Sequence, residues 1–200
     1  DTWVVPTEAI INGVKYKVSQ VGFLSFSDRS SKIYQNPNFS ASHKFILSYK
    51  NIVIPEGITL TRRSIHANSF GCRQITLNSG IHSLSDDEIL LPNVNDGYAK
   101  VIDASMTTLD SFPSTFCNYP MTVYAKYSKA IEEQAAKEPW NFCDVSDPNN
   151  HMIYGTIPNG VEDEDIILTG SDGQKYYPII ENGKYKMPGI KQGSYSLKIG

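Results

Sequence analysis

Histidine and cysteine are the residue types most able to bind a metal or attack a substrate, but their spacing here matches no known site. His43, His66, His82 and His151 are scattered along the chain, and neither C-x-x-C nor H-E-x-x-H occurs. The G-x-S-x-G motif of serine hydrolases and the glycine-rich nucleotide-binding motifs are also missing. We therefore expect no catalytic residue, no metal site, no cofactor and no enzymatic activity.

A run of four acidic residues is the best remaining candidate for acid–base chemistry. Glu162, Asp163, Glu164 and Asp165 are adjacent, without the alternating spacing of a calcium-binding loop. We expect a solvated turn. The alternative is a hydrolase, which would need two carboxyl groups about 5–9.5 Å apart in a cleft.

The three cysteines cannot all pair within one chain. Cys72 and Cys117 each follow a phenylalanine, and we expect them to fill the protein interior as small apolar side chains. A disulfide is the alternative, with Cys143 as the suggested partner of Cys117.

Charge and composition exclude several classes of partner. The chain has 200 residues, with 18 basic and 21 acidic side chains and a net charge of −3. This balance gives no electrostatic reason to bind nucleic acid. No apolar run approaches the roughly 18 residues that span a bilayer, so we expect no membrane span. The first residue is Asp1, which indicates a processed or trimmed chain and leaves secretion open.

A weak repeat runs through the middle of the chain. The string IVIPEGI (Ile52–Ile58) matches ITLNSGI (Ile75–Ile81) 23 residues later, and the pattern recurs at Ile102–Met106 and at Val123. Lys100 falls where a β-branched residue is expected, which predicts a slip or bulge there.

This period is typical of one architecture. Phe70 and Phe116 precede their strands by the same interval, and the repeats are 21–25 residues long. One short strand per repeat at this length indicates a leucine-rich-repeat solenoid, in which stacked coils share a core. Chance recurrence within a β-sandwich is the alternative.

A capping helix is predicted after the last repeat. Ser128 is a suitable N-cap, and Ala130, Ile131, Gln134 and Ala135 form an apolar stripe. Glu133 and Lys137 are spaced as an ion pair, Pro139 ends the helix, and Trp140 and Phe142 can cover the last coil.

Several short phrases lie along the first part of the chain: VVP (Val4–Pro6), NGVKYKVSQVG (Asn12–Gly22), SFSD (Ser25–Asp28), NIVIPEGI (Asn51–Ile58), NSFGC (Asn68–Cys72) and the cap phrase Thr122–Phe142. With these phrases, residues 1–146 resemble the BspA-like leucine-rich repeats of bacterial surface proteins. This resemblance implies an extracellular or bacterial cell-surface location and a role in adhesion. The chain departs from the family by an inserted loop at about residues 30–45.

Residues 147–200 have a different pattern, after a turn-rich linker at Asp144–Asn150. Five strands are predicted, with hairpin turns at Gly170–Gly173 and Asn182-Gly183: Met152–Ile157, Ile166–Thr169, Lys175–Ile180, Lys184–Met187 and Ser194–Ile199. The phrase Asn182–Gly200 resembles the closing hairpin of carboxypeptidase-regulatory, transthyretin-like β-sandwiches. We therefore expect a mostly β chain, with a short solenoid and capping helix followed by a small antiparallel Ig-like or prealbumin-like β-sandwich.

Binding is the function that these features favour. Tyr34, Phe39, Phe45 and Tyr49 lie in or beside the inserted loop and are candidates for stacking on a sugar or anchoring a protein. They could instead cover the first coils. We expect a non-enzymatic adhesion or binding protein with an unidentified protein or glycan ligand, the alternative being a structural spacer within a larger surface protein.

Overall fold

The computed structural model describes residues 2–21, 50–60, 65–66, 72–84, 89–90, 99–113, 119–162 and 165–200. Among these described residues, the chain up to Asp144 contains twelve strands: β1 (Thr2–Val4), β2 (Glu8–Ile11), β3 (Val14–Lys17), β4 (Gln20–Val21), β5 (Asn51–Val53), β6 (Thr59–Leu60), β7 (Ile65–His66), β8 (Gln74–Thr76), β9 (Ile89–Leu90), β10 (Val101–Thr108), β11 (Thr122–Lys126) and β12 (Asn141–Asp144). A short helix, α1 (Lys129–Ala135), separates β11 from β12. The described chain is therefore mostly β, as predicted.

A six-stranded parallel sheet organises this part of the chain. Its strand order is β1-β5-β8-β10-β11-β12, which is also their order along the chain. Every neighbouring pair is parallel, so the chain returns to the same end of the sheet before each new strand. β4 pairs with β6 and β7 with β9, also in parallel, whereas β2 and β3 form an antiparallel hairpin.

One face of the sheet, here called the inner face, packs into the main hydrophobic core. Ile52 pairs with Ile75, Ile75 with Ile102, and Ile102 with Val123, and all four side chains are buried in that core. The 23-residue offset read from the sequence between Ile52 and Ile75 is thus the actual pairing register of β5 and β8. The predicted alignment of the third copy is wrong, because Ile102 rather than Lys100 pairs with Ile75. The register irregularity lies after Ala104 rather than at Lys100.

A buried asparagine ties two successive connections together. The Asn78 side-chain nitrogen donates to the carbonyl oxygens of Pro55 (2.7 Å) and Ile58 (2.9 Å). Its side-chain oxygen accepts from the Gly80 N–H at 2.9 Å. One amide therefore satisfies three backbone groups next to the core.

Helix α1 begins at its predicted N-cap. The Ser128 hydroxyl oxygen accepts from the Ile131 N–H at 3.4 Å, and Ile131 is the buried residue of the helix. Ala130 is exposed, so the predicted apolar stripe is narrower than expected. The i,i+4 pair that forms is Lys129–Glu133 (3.7 Å). Trp140 follows the helix and packs on Phe112 with ring centroids 4.9 Å apart.

The last part of the chain forms two three-stranded antiparallel sheets. Its strands are β13 (His151–Thr156), β14 (Ile166–Gly170), β15 (Lys175–Tyr176), β16 (Ile179–Glu181), β17 (Lys184–Ile190) and β18 (Tyr195–Ile199). The strand orders are β13-β17-β16 and β15-β14-β18. Asn182 and Gly183 have φ of 50° and 72° in the predicted hairpin turn, as the left-handed residues of a type I′ turn require.

The predicted strand Lys175–Ile180 is wrong in one respect, because it is broken in the middle. Its first two residues pair with β14, whereas Ile179 and Ile180 pair with β17 in the other sheet. Pro178, at the break, has no N–H to donate to a ladder. This segment therefore crosses from one sheet to the other.

Replacing Asn78 should destabilise the fold. We expect Asn78→Ala to lower the free energy of unfolding by about 1–3 kcal/mol, because buried backbone groups lose their partners. Urea unfolding followed by circular dichroism measures this change. Asn159→Ala, at an exposed turn position, is the control. Equal midpoints for the two variants would contradict the role given to Asn78.

Candidate functional site

The four aromatic residues predicted to bind a ligand lie outside the described residues. Tyr34, Phe39, Phe45 and Tyr49 all belong to residues 22–49, as does the inserted loop. The described part of the chain offers a different candidate, on the side of the parallel sheet opposite the core.

This second side, here called the outer face, carries two rows of side chains. Residues two apart in a strand share a face, so the pairing register aligns the rows across all six strands. The first outer row is Thr2, Asn51, Gln74, Val101, Thr122 and Asn141. The second outer row is Val4, Val53, Thr76, Asp103, Tyr124 and Cys143.

Much of the outer face is covered by the last part of the chain. Val101, Tyr124 and Cys143 are buried in one hydrophobic cluster with residues of β14, β16 and β17. Polar residues of the first outer row are buried too, with Gln74 4% and Thr122 0% exposed. Buried polar groups are costly unless they are hydrogen-bonded, so each of these side chains requires a hydrogen-bond partner.

Those partners are backbone groups of residues 175–180, here called the covering segment. The Tyr177 N–H donates to Thr122 Oγ1 at 2.8 Å, and the Ile180 N–H donates to Gln74 Oε1 at 2.7 Å. The Asn141 side-chain nitrogen donates to the Lys175 carbonyl oxygen at 2.8 Å. The first outer row thus binds an extended stretch of polypeptide through its backbone.

The second outer row adds one further contact of this kind. The Tyr124 hydroxyl donates to the Tyr177 carbonyl oxygen at 2.6 Å. Tyr124 is fully buried, and this burial raises the pKa of its hydroxyl well above the ordinary value. The group therefore remains a proton donor across the physiological pH range.

The covering segment does not extend over the first strands of the sheet, where a cleft of about 400 Å³ remains. Thr2, Asn51, Thr76 and Asp103 line the sheet side of this cleft, and β16 with the following turn lines the other side. The cleft continues the same two outer rows that bind the covering segment elsewhere.

Asn51 is the unusual residue of the cleft. It is 8% exposed, and its side-chain oxygen has no hydrogen-bond partner among the described residues. Its side-chain nitrogen donates to Thr2 Oγ1 over a long 3.4 Å. Among the described residues this amide oxygen therefore lacks a donor, which a ligand in the cleft would supply.

The cleft carries net negative charge. Its described lining residues include two carboxylates, Asp103 and Glu181, and one ammonium group, Lys186. Lys186 lies 3.2 Å from Glu181. Asp103 Oδ1 accepts from the Ser105 hydroxyl at 2.6 Å. A cationic group is therefore better suited to this cleft than an anionic one.

The described cysteines are structural. Cys72 and Cys143 are buried free thiols, which contradicts the suggested disulfide at Cys143, and Cys117 lies outside the described residues. Burial raises the pKa of Cys72 to about 12 and raises the pKa of Cys143 as well. Cys143 belongs to the outer face and Cys72 to the core, so the two fill different interiors.

Among the described residues, no group of three or more His, Cys, Asp or Glu could hold a metal ion. His82 Nδ1 lies 2.9 Å from the Thr107 hydroxyl, and His151 is exposed. Glu162 and Asp165 are exposed, and Glu162 forms a 3.0 Å ion pair with Lys50. Asp163 and Glu164 lie outside the described residues.

Comparison with protein-family models, with curated proteins and with solved structures found no match. Within the ranges that the structure describes, no helix is both long and apolar enough to cross a bilayer.

Sequence reasoning missed the outer rows, although a signal was present. A polar residue stands directly before an inward-facing residue in five of the six sheet strands: Thr2, Asn51, Gln74, Thr122 and Asn141. Polar residues at alternate strand positions ordinarily predict a solvent-facing side. Here Gln74, Thr122 and Asn141 instead bind a segment from elsewhere in the chain.

The hydroxyl of Tyr124 can be tested by removing it alone. We expect Tyr124→Phe to lower the free energy of unfolding by about 1–3 kcal/mol, since the buried Tyr177 carbonyl oxygen loses its donor. Tyr154→Phe is the matched control, because Tyr154 is 75% exposed. Chemical denaturation of both variants measures the difference. If both changes leave the midpoint where it is, the Tyr124 bond contributes nothing to stability.

The two buried thiols should resist alkylation in the folded protein. At pH 8 they remain protonated because burial raises the pKa of both groups, and only a thiolate attacks iodoacetamide readily. We expect Cys72 and Cys143 to be labelled only after unfolding in urea, as measured by peptide mapping with mass spectrometry. Rapid labelling of either residue in the native protein would show that its thiol is not buried.

Proposed function

We propose that this chain is a non-enzymatic binding protein of the bacterial cell surface or extracellular space, which mediates adhesion or binds a protein or glycan. Its architecture is proposed to be a short leucine-rich-repeat solenoid with a capping helix (residues 1–146), followed by a small Ig-like or prealbumin-like β-sandwich (residues 147–200). The parallel pairing of six strands in chain order supports the solenoid. The two three-stranded antiparallel sheets with a common buried cluster support the sandwich.

The observation that carries a binding function is the open cleft on the outer face. It offers a rigid sheet floor with hydroxyl, amide and carboxylate groups at its surface, and one nearly buried acceptor is without a partner in the described chain. Binding sites are concave, with a few polar groups that orient the ligand. The four aromatic residues predicted from the sequence, which lie outside the described residues, are the second set of binding candidates.

The structural spacer is the second candidate function, and a specific observation favours it. The covering segment occupies the outer face near β11 and β12 through direct hydrogen bonds. An interface of this kind joins the two parts of the chain rigidly, which suits a module that separates a ligand-binding region from the cell.

Glycan and matrix-protein arrays distinguish the two. Thr76→Arg places a long side chain in the cleft, and Thr7→Arg, at an exposed position, is its control. For a ligand of the cleft, we expect Thr76→Arg to lower the array signal at least about tenfold, because the long side chain displaces contacts worth more than about 1.4 kcal/mol. Thr7→Arg should leave it unchanged. A chain lacking residues 30–45 tests the aromatic candidates in the same way.

The outcomes separate the proposals cleanly. A signal lost only with the deletion assigns binding to the inserted loop rather than the cleft. If the chain has a native circular dichroism spectrum but gives no signal on either array, the adhesion function is contradicted and the spacer function is supported.

A further inference from the structure

The outer face already binds one extended polypeptide, and the contacts show how. Gln74, in the first outer row, accepts the Ile180 N–H at 2.7 Å. Thr122, in the same row, accepts the Tyr177 N–H at 2.8 Å. The N–H groups of the covering segment thus donate to side-chain oxygens of this row, where in a sheet they would donate to the backbone of a neighbouring strand.

Asn51 occupies the equivalent position one strand earlier. Asn51 and Gln74 are direct register partners in neighbouring parallel strands, and both carry a side-chain amide. The Gln74 oxygen has its backbone N–H, whereas the Asn51 oxygen is nearly buried and has none among the described residues. The same chemistry that binds the covering segment therefore recurs, unused, in the cleft.

The charges of the cleft define the partner further. Asp103 lies on its sheet side, and Lys186 is paired with Glu181. An extended peptide with a lysine or arginine side chain complements this arrangement, because its N–H reaches Asn51 and its cation can approach Asp103.

We infer that the cleft binds an extended segment of a partner protein, with one backbone N–H donated to Asn51 Oδ1 and a basic side chain beside Asp103. This inference rests on the proposed binding function and names the chemical class of its ligand. Peptide recognition of this kind takes affinity from main-chain hydrogen bonds and specificity from side-chain pockets.

The test uses a displayed library of random short peptides, selected on the full chain. We expect enriched peptides to contain lysine or arginine. A synthetic peptide from the selection is then methylated at one backbone nitrogen at a time. Methylation at the residue facing Asn51 should weaken binding about tenfold, the size of one hydrogen bond lost from a desolvated site.

Asn51→Leu provides the second arm of a double-mutant cycle. It should bind the unmodified peptide about tenfold more weakly than the original chain does. It should also show less than about a twofold difference between the methylated and unmodified peptides, because the acceptor is gone. Asn159→Leu is the surface control and should leave both affinities unchanged.

Stability measurements exclude misfolding as the cause. Asn51→Leu should change the urea midpoint little, because the oxygen it removes has no partner among the described residues and the nitrogen it removes has only a long 3.4 Å bond to Thr2 Oγ1. Gln74→Leu should have a lower midpoint, because the Ile180 N–H then loses its acceptor. Asp103→Asn should weaken binding of the basic peptides without lowering the urea midpoint as Gln74→Leu does.

Several results would overturn the inference. Equal effects of methylation on the original chain and on Asn51→Leu would show that Asn51 does not accept a backbone N–H. Concentration-dependent self-association that Asn51→Leu abolishes would assign the cleft to a second copy of the chain. Failure to enrich peptides, with a positive glycan array, would leave the binding function standing and remove the peptide. Failure on peptides and on both arrays would remove both.

Discussion

The hydrogen bonds between the outer face of the parallel sheet and the backbone of the covering segment are the interaction on which the rest of the structure depends. Residues 175–180 cross from one antiparallel sheet to the other, and Pro178 removes one donor midway. The N–H groups of Tyr177 and Ile180 find acceptors in Thr122 and Gln74 instead of a strand. Without these side chains, the crossing would bury unpaired backbone groups at high cost.

These bonds join the two parts of the chain into one packed body. The second hydrophobic cluster contains Val101, Tyr124 and Cys143 from the parallel sheet together with residues of β14, β16 and β17. The pattern change near residue 146 therefore marks a change from parallel to antiparallel pairing, while the buried surface continues across it. Loss of either side would expose both the apolar cluster and the polar row, so we expect the two parts to unfold together.

The inner face was predictable from the sequence, and the outer face was not. The recurrence of Ile52 at Ile75 predicts a buried, in-register pair, and the structure confirms it, whereas Ile102 pairs with Ile75 in place of the predicted Lys100. Local signals such as the Asn182-Gly183 turn and the Ser128 cap were equally reliable because their partners are close in sequence. The partners of the outer face are remote, since Gln74 and Ile180 are separated by 106 residues, and no local pattern encodes that distance.

Val101 is the apolar member of the first outer row, at a place where no backbone N–H of the covering segment donates to the row. It stands between Gln74 and Thr122 in the same row, is apolar, and is fully buried against the last part of the chain. At position 51 the amide nitrogen has a long bond to Thr2 Oγ1 (3.4 Å), but the described residues supply no donor to the amide oxygen. That oxygen carries a desolvation cost without a compensating bond among the described residues. A partner's backbone N–H in the cleft would supply the missing donor, which is the physical reason for placing it there.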